Sequence, residues 1–410
     1  MRLSLNIKEI KSTYLSFEML YAFLPILSAY SMGGIPFALI LSILLSVIAF
    51  IKTQRVWIYK PYLILIGYVF LHELILCMTM SALPIYHINL LTTTIIVLTT
   101  PVFIVPALKF HKFFKCILFV AIMSGIGMVY HYIIIRSGGL VTTITLPFLP
   151  IDATHTRLLE ELQRPTSFFV EPAAFATFMM VPLFICLIRN KYLQVGLLLV
   201  VLFLSTSTTA VIESIVIIVT FLITTISGKY RFRAILLSLL FIAMGYFFIN
   251  SSLFDATFQK IDKTEVDENA RLMNGLIVSS HLPIENFPFG INNANISDFV
   301  MNNNLQSFVF YGREYGTYLF VPTFWQILIK YGLLGIMLYL FLFYTLYKRD
   351  KTIIPYLMCL AAGWFFQGIS LTTMFTWQIC FISSYIYRDD EITFEFVKVV
   401  KESKQNLLET

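Results

Sequence analysis

The sequence predicts an all-α, polytopic integral membrane protein of about 12 transmembrane helices with two long extracytoplasmic loops. Three observations predict it. The 410-residue chain is 58% hydrophobic and 16% aromatic but only 13% charged, whereas soluble globules run near a quarter charged. Apolar stretches recur at 13–31, 35–51, 59–80, 85–108, 113–135, 168–189, 191–206, 209–227, 234–251, 320–347, 353–370 and 372–387. Several approach the ~20 residues that carry a helix across hydrocarbon. When the gaps are assigned alternately to two sides, 21 of the 29 Lys and Arg fall on one side. Basic residues are retained in the cytoplasm, so this asymmetry places both termini inside. It places the loops 136–167 and 252–319 outside.

Taken in order, the first stretch is the weakest because it carries Glu18, and the Ser31–Gly34 turn with Pro36 divides it from the second. No cleavable leader is expected, because polar residues precede the first apolar run and no small-x-small exit follows it. The first long loop opens on Gly138 and Gly139 and continues β-branched to Pro147 and Pro150, which suits extended chain. Asp152 to Gln163 suits a short surface helix ended by Pro165. In the second long loop, a helix is expected from about Asp267 to His281, stopped by Pro283. It would carry Arg271, Asn274, Val278 and His281 on one face. The Asn-rich run 292–304 reads as irregular, and the tail 388–410 as a short cytoplasmic helix. The whole of 1–410 reads as a single membrane domain without internal repeats.

Composition excludes several functions. The net charge of +6 follows from topology, so no nucleic-acid partner is expected. Cys77, Cys116, Cys186, Cys359 and Cys380 all sit in or beside apolar stretches, leaving no disulfide framework in the loops and no C-x-x-C metal spacing. No phosphate-binding glycine loop and no H-E-x-x-H is present. Buried ionisable groups are expensive in a membrane, which singles out His72, Glu73, Glu213 and Lys330. Each has a plain reading as a structural group paired inside the bundle, and a functional one as a cavity lining or proton path. Ser205 to Thr209 reads first as a capping turn and second as a sugar contact.

The most specific local pattern is Arg164-Pro-Thr-Ser167-Phe-Phe169-Val-Glu171-Pro172. It resembles the Arg-x-x-Ser/Gly-x-Phe-x-Glu-Pro pattern of O-antigen and capsule polymerases of the Wzy type. Glu268-Asn-Ala-Arg271, followed by Asn286-Phe-Pro288-Phe-Gly290, is similar to the large outer loop of the O-antigen polymerase and ligase superfamily. Tyr331-Gly332-Leu-Leu-Gly335 is similar to the Gly-x-x-Gly that opens the helix after that loop.

This resemblance implies a metal-independent glycosyltransferase without a cofactor, in a bacterial cytoplasmic membrane. Its substrates would be undecaprenyl-diphosphate-linked glycans and its partners membrane lipid and a chain-length regulator. Arg forks bind phosphate oxygens bidentately, so Arg164 and Arg271 are the expected diphosphate ligands, with Arg157 and Arg313 secondary. Glu171 or His281 would take the acceptor proton. The plain readings stand beside these: Arg164 as an interfacial anchor, Arg271 paired with a neighbouring acid, Glu171 as a helix-start charge and His281 as a helix-ending surface residue. Two rivals remain, an O-antigen ligase and, from another class, a lipid-linked oligosaccharide flippase or transporter.

Overall fold

A computed structural model of the chain describes residues 16–32, 35–79, 85–142, 144–147, 149–150, 164–225, 270–291, 295–305, 309–312, 316–319, 321–367, 372–388 and 396–398. The stretch 234–251, the expected helix 152–163, Arg157 and Arg313 lie outside the described residues, as does the side chain of Arg271.

The protein is a mostly helical membrane protein. Its elements run α1 (Phe17–Ala22), α2 (Leu24–Leu27), β1 (Ser31–Met32), β2 (Ile35–Pro36), α3 (Phe37–Thr53), β3 (Arg55–Trp57), α4 (Lys60–Thr79), α5 (Ile85–Ile104) and α6 (Phe110–Arg136). They continue with α7 (Pro172–Ile188), α8 (Tyr192–Leu204), α9 (Thr208–Thr225), α10 (Ala270–Ser280), α11 (Ile296–Asn302), β4 (Val309–Gly312), β5 (Gly316–Leu319), α12 (Thr323–Arg349), α13 (Ile354–Gly363), α14 (Thr373–Ile386) and β6 (Phe396–Lys398). By length and apolarity, α6, α9 and α12 can cross a membrane. The shorter apolar helices α7 and α8 pack with these, and α3 packs on α5.

Helix α7 occupies the centre because its sequence is apolar on every face, which only full burial satisfies. Nearly all of its residues from Pro172 to Leu187 are buried. Its Phe184 packs against Tyr356 and its Phe178 against Trp377, with ring centroids 5.3 and 5.4 Å apart. The Trp377 indole donates to the Tyr21 carbonyl at 3.0 Å, tying α14 to α1.

Segments that charge alternation groups together lie against one another. β3 pairs antiparallel with β6, setting Arg55 opposite Lys398. Arg388 bonds Asp350 at 2.7 Å, Arg349 lies over the Tyr59 ring, and Arg189 over Phe114. At the opposite ends, the Ser31 amide donates to the Pro150 carbonyl and the Leu146 amide to the Tyr30 hydroxyl. Arg164 there reaches the turn between α8 and α9.

Four expectations need correction. The first apolar stretch is two short helices broken at Phe23, and its Glu18 is buried against Lys112 at 3.5 Å. The tail contributes β6 rather than helix across 396–398, because its alternating Phe-Val-Lys pairs with the Arg55–Trp57 edge. The Asn-rich run contains α11, whose Ile296, Phe299 and Val300 recur at helical spacing and are buried. Finally, α10 ends at Ser280, so His281 lies beyond the helix face that carries Asn274 and Val278. Val278 is fully buried, Asn274 is half-buried, and His281 follows the last turn of α10 in an exposed position.

Candidate functional site

Residues 164–171 lead from the first long loop into α7. Three contacts fix this segment on α6. The amides of Thr166 and Ser167 donate to His131 Nδ1 at 3.3 and 3.2 Å, and the Ser167 hydroxyl donates to the Ser124 carbonyl at 2.6 Å. Ser124, Gly127 and His131 are spaced i, i+3 and i+7, hence on one helix face. Gly127 is needed there: a Cβ would come within 2.6 Å of the Ser167 hydroxyl. Ser167 itself adopts φ +56°, a left-handed backbone that costs a non-glycine residue and persists where its surroundings enforce it.

Arg164 projects from this anchored segment, and its Nη2 donates to the Thr206 carbonyl at 3.2 Å. Thr206 sits at φ +52° in the turn between α8 and α9. The serines of that turn are caps, as their plain reading expects. Ser205 Oγ donates to the Leu202 carbonyl and accepts from the Ser207 amide, while Ser207 Oγ accepts from the Ala210 amide. Glu171 closes the segment as the N-cap of α7, extended at φ −147° and exposed. One anchored segment thus carries a guanidinium on the turn between α8 and α9 and a carboxylate at the start of α7.

Beneath this start, about 9 Å along α7 at 1.5 Å per residue, Thr177 begins a buried polar chain. The Thr177 hydroxyl donates to Gln367 Oε1, and Gln367 Nε2 donates to Glu213 Oε1 at 2.8 Å. The Gln367 carbonyl in turn accepts the Thr323 amide and hydroxyl. The first amides of α12 are therefore satisfied by carbonyls at the end of α13, with Phe324 donating to Trp364. Glu213 is 2% exposed, and Gly363 makes room for it, since a Cβ would lie 2.6 Å from Glu213 Oε1. Its partner is the Gln367 amide, where the sequence suggested Ser or Thr.

The second long loop meets the bundle in the middle of α12. Gly332, at φ +66° and ψ −168°, breaks that helix, so Tyr331-Gly-Leu-Leu-Gly335 opens the second of its two halves rather than the first turn at Thr323. The break receives the turn Pro288-Phe-Gly290. Ile291 donates to the Ile329 carbonyl at 2.8 Å, Leu333 to Phe287 at 2.9 Å and Leu334 to Pro288 at 3.1 Å. Helix α4 supports the joint: the Tyr68 hydroxyl donates to the Tyr331 carbonyl at 2.7 Å, and the Tyr331 hydroxyl donates to Glu73 at 2.9 Å. His72 packs on both tyrosine rings, and Lys330 is electrostatically coupled to Glu73. His72 and Glu73 are not each other's partners, as adjacency had suggested. The carbonyls of Phe287 and Pro288 close the start of the lower half-helix, so an anion finds no free amides at Leu333 or Leu334.

His281 Nδ1 lies 2.8 Å from the Ile277 carbonyl, which can only accept, so Nδ1 donates there and Nε2 is the ring nitrogen left for an acceptor role. Sequence reasoning missed His131 and Gln367. His131 could have been noticed as a lone imidazole near the end of an apolar helix, aligned with Ser124 and Gly127. Among the described residues, no group of three or more His, Cys, Asp or Glu stands together as a metal site.

No protein-family model, curated protein or solved structure matches this chain.

Proposed function

We propose that this protein joins undecaprenyl-diphosphate-linked oligosaccharide repeat units into polysaccharide on the outer face of a bacterial cytoplasmic membrane. Both termini lie in the cytoplasm in this reading, and the two long loops face outward. The observation that carries it is the segment 164–171, whose anchored backbone sets Arg164 on the turn between α8 and α9 and Glu171 at the start of the central helix α7.

The chemistry follows from those two groups. The acceptor hydroxyl oxygen forms a bond to the donor's anomeric carbon while that carbon's bond to the diphosphate oxygen breaks. The electron pair leaves with undecaprenyl diphosphate, and the hydroxyl proton passes to a base. Arg164 suits the leaving diphosphate, because a forked guanidinium matches two phosphate oxygens where negative charge develops. Arg271 on α10 is its expected companion from the second loop, with Arg157 and Arg313 in support. Glu171 or His281 Nε2 takes the proton, both being exposed acceptors.

A flippase or transporter is the second reading, favoured by the break in α12 beside Glu73 and Lys330. Interrupted helices with intramembrane charge mark transport sites. Deleting the gene and resolving surface glycan by electrophoresis separates the readings. Loss of the polymer ladder with one lipid-linked unit left on the outer face supports the polymerase. A unit trapped on the inner face supports the flippase, and a ladder retained on the prenyl carrier supports a ligase.

A further inference from the structure

We infer that His131 is the positioning residue for Arg164 and that its single uncharged tautomer sets an acid limit on the site. The argument begins at one nitrogen. His131 Nδ1 receives the amides of both Thr166 and Ser167. A ring nitrogen that accepts two N–H donors carries no proton, so the ring is neutral with its hydrogen on Nε2. Among the described residues Nε2 has no hydrogen-bond partner. The Thr142 backbone is an electrostatic neighbour of the ring.

A proton added to Nδ1 would face two N–H donors head-on, and both bonds to the segment would be lost. The ring cannot turn this conflict toward solvent, because His131 is fully buried beneath the segment it holds. The remedy is release of Thr166 and Ser167, two and three residues from the Arg164 guanidinium that the segment aims at Thr206. Ser167 stores backbone strain in the same place, which favours release once the amides are free.

The surrounding charges are few. Arg136 lies on α6 beyond His131, engaged with the Tyr132 hydroxyl, and the Tyr130 ring lies 6.0 Å from the imidazole. The docked segment brings Arg164 and Glu171. Of the helices packed on α6, α7, α8 and α14 carry no charged residue, and the one on α1, Glu18, pairs with Lys112 near the other end of α6.

The test uses Thr166→Cys, a buried position, labelled in membranes by an impermeant maleimide and read against the unsubstituted chain. It is combined with His131→Asn, whose Oδ1 replaces Nδ1 as an acceptor but cannot be protonated, and with His131→Phe, which has no acceptor. At neutral pH the Asn variant should label like the parent. The Phe variant should label about tenfold faster or more, the effect of two lost backbone bonds. The ratio of parent to Asn labelling cancels thiol chemistry, and it should rise only at the acid end of a scan from about 8 to 4, because burial and two N–H donors hold the ring neutral. A flat ratio, or parent-like labelling of the Phe variant, overturns the inference. The link to activity rests on the polymerase reading: glycan synthesis should lose its acid limb in His131→Asn. If no variant makes polymer, that reading fails while the labelling still decides the role of His131.

Discussion

Replacing Gly332 by Ala should undock the second long loop. Gly332 sits at φ +66° and ψ −168°, a region essentially closed to residues with a Cβ, at a cost of about 1–3 kcal/mol. The added Cβ would also lie 2.4 Å from the Phe289 amide nitrogen and from the Pro288 carbonyl. Those are backbone atoms, so no flexible side chain can move aside, and such overpacking costs about 1–3 kcal/mol more. Relief requires the loop to withdraw, which breaks the Leu333–Phe287 and Leu334–Pro288 bonds. The total of about 2–6 kcal/mol raises the undocked population at least about thirtyfold. Limited proteolysis across 281–295 in detergent reads that population as a cleavage rate. Gly67→Ala is the control: nothing lies within 4 Å of its Cβ, and alanine favours helix over glycine by about 1 kcal/mol. Gly332→Ala cleaved no faster than Gly67→Ala would refute the docking argument.

Other substitutions test separate parts of the structure. Arg164→Ala should abolish polymer growth with protein abundance unchanged, as judged by glycan electrophoresis and immunoblot; a wild-type ladder removes its role. Gly363→Ala should destabilise the chain, because its Cβ meets Glu213 Oε1. The same change in a Glu213→Ala background should cost less, a coupling that a double-mutant cycle in melting temperature measures. Burial opposes the charge of Asp350. Hydrogen bonds from the Thr352 hydroxyl, the Arg388 guanidinium and the Thr352 amide outweigh it, so the carboxyl is held below its ordinary range. A depressed carboxylate stabilises the fold above its unfolded value, and that contribution disappears as pH falls through the folded one. Asp350→Asn should therefore lower the melting temperature at neutral pH and flatten its decline in acid.

The sequence revealed helices better than joints, for a physical reason. Helix existence is written in apolar runs, and α4, α6, α9 and α12 fall where those runs predict. Joints depend on backbone groups that every residue carries, so sequence marks them only through glycine. Gly290 and Gly332 were both noticed, one as a turn and one as a helix opening. Nothing in either neighbourhood says that the first backbone presses into the second. The same limit hid His131: an imidazole in an apolar helix announces a cost, while its partners here are two amides with no residue-specific signature. Glu213 was flagged by that cost, yet its partner Gln367 lies 154 positions away.

What the candidate site shares across its separate parts is helix α12. Its first turn bonds the Gln367 carbonyl, and so reaches Glu213 and Thr177 under the Arg164 segment. Two turns further on, its break grips the loop that follows α10 and Arg271. A displacement of the upper half of α12 would therefore act on both arginine-bearing segments together. Thr323→Val tests this coupling, because it removes the hydroxyl bond to Gln367 while leaving the amide bond. Faster proteolysis of the distant 281–295 turn in this variant is the expected result, of about two- to tenfold for one net hydrogen bond. Cleavage unchanged there, with melting lowered, would show that the two regions are held independently.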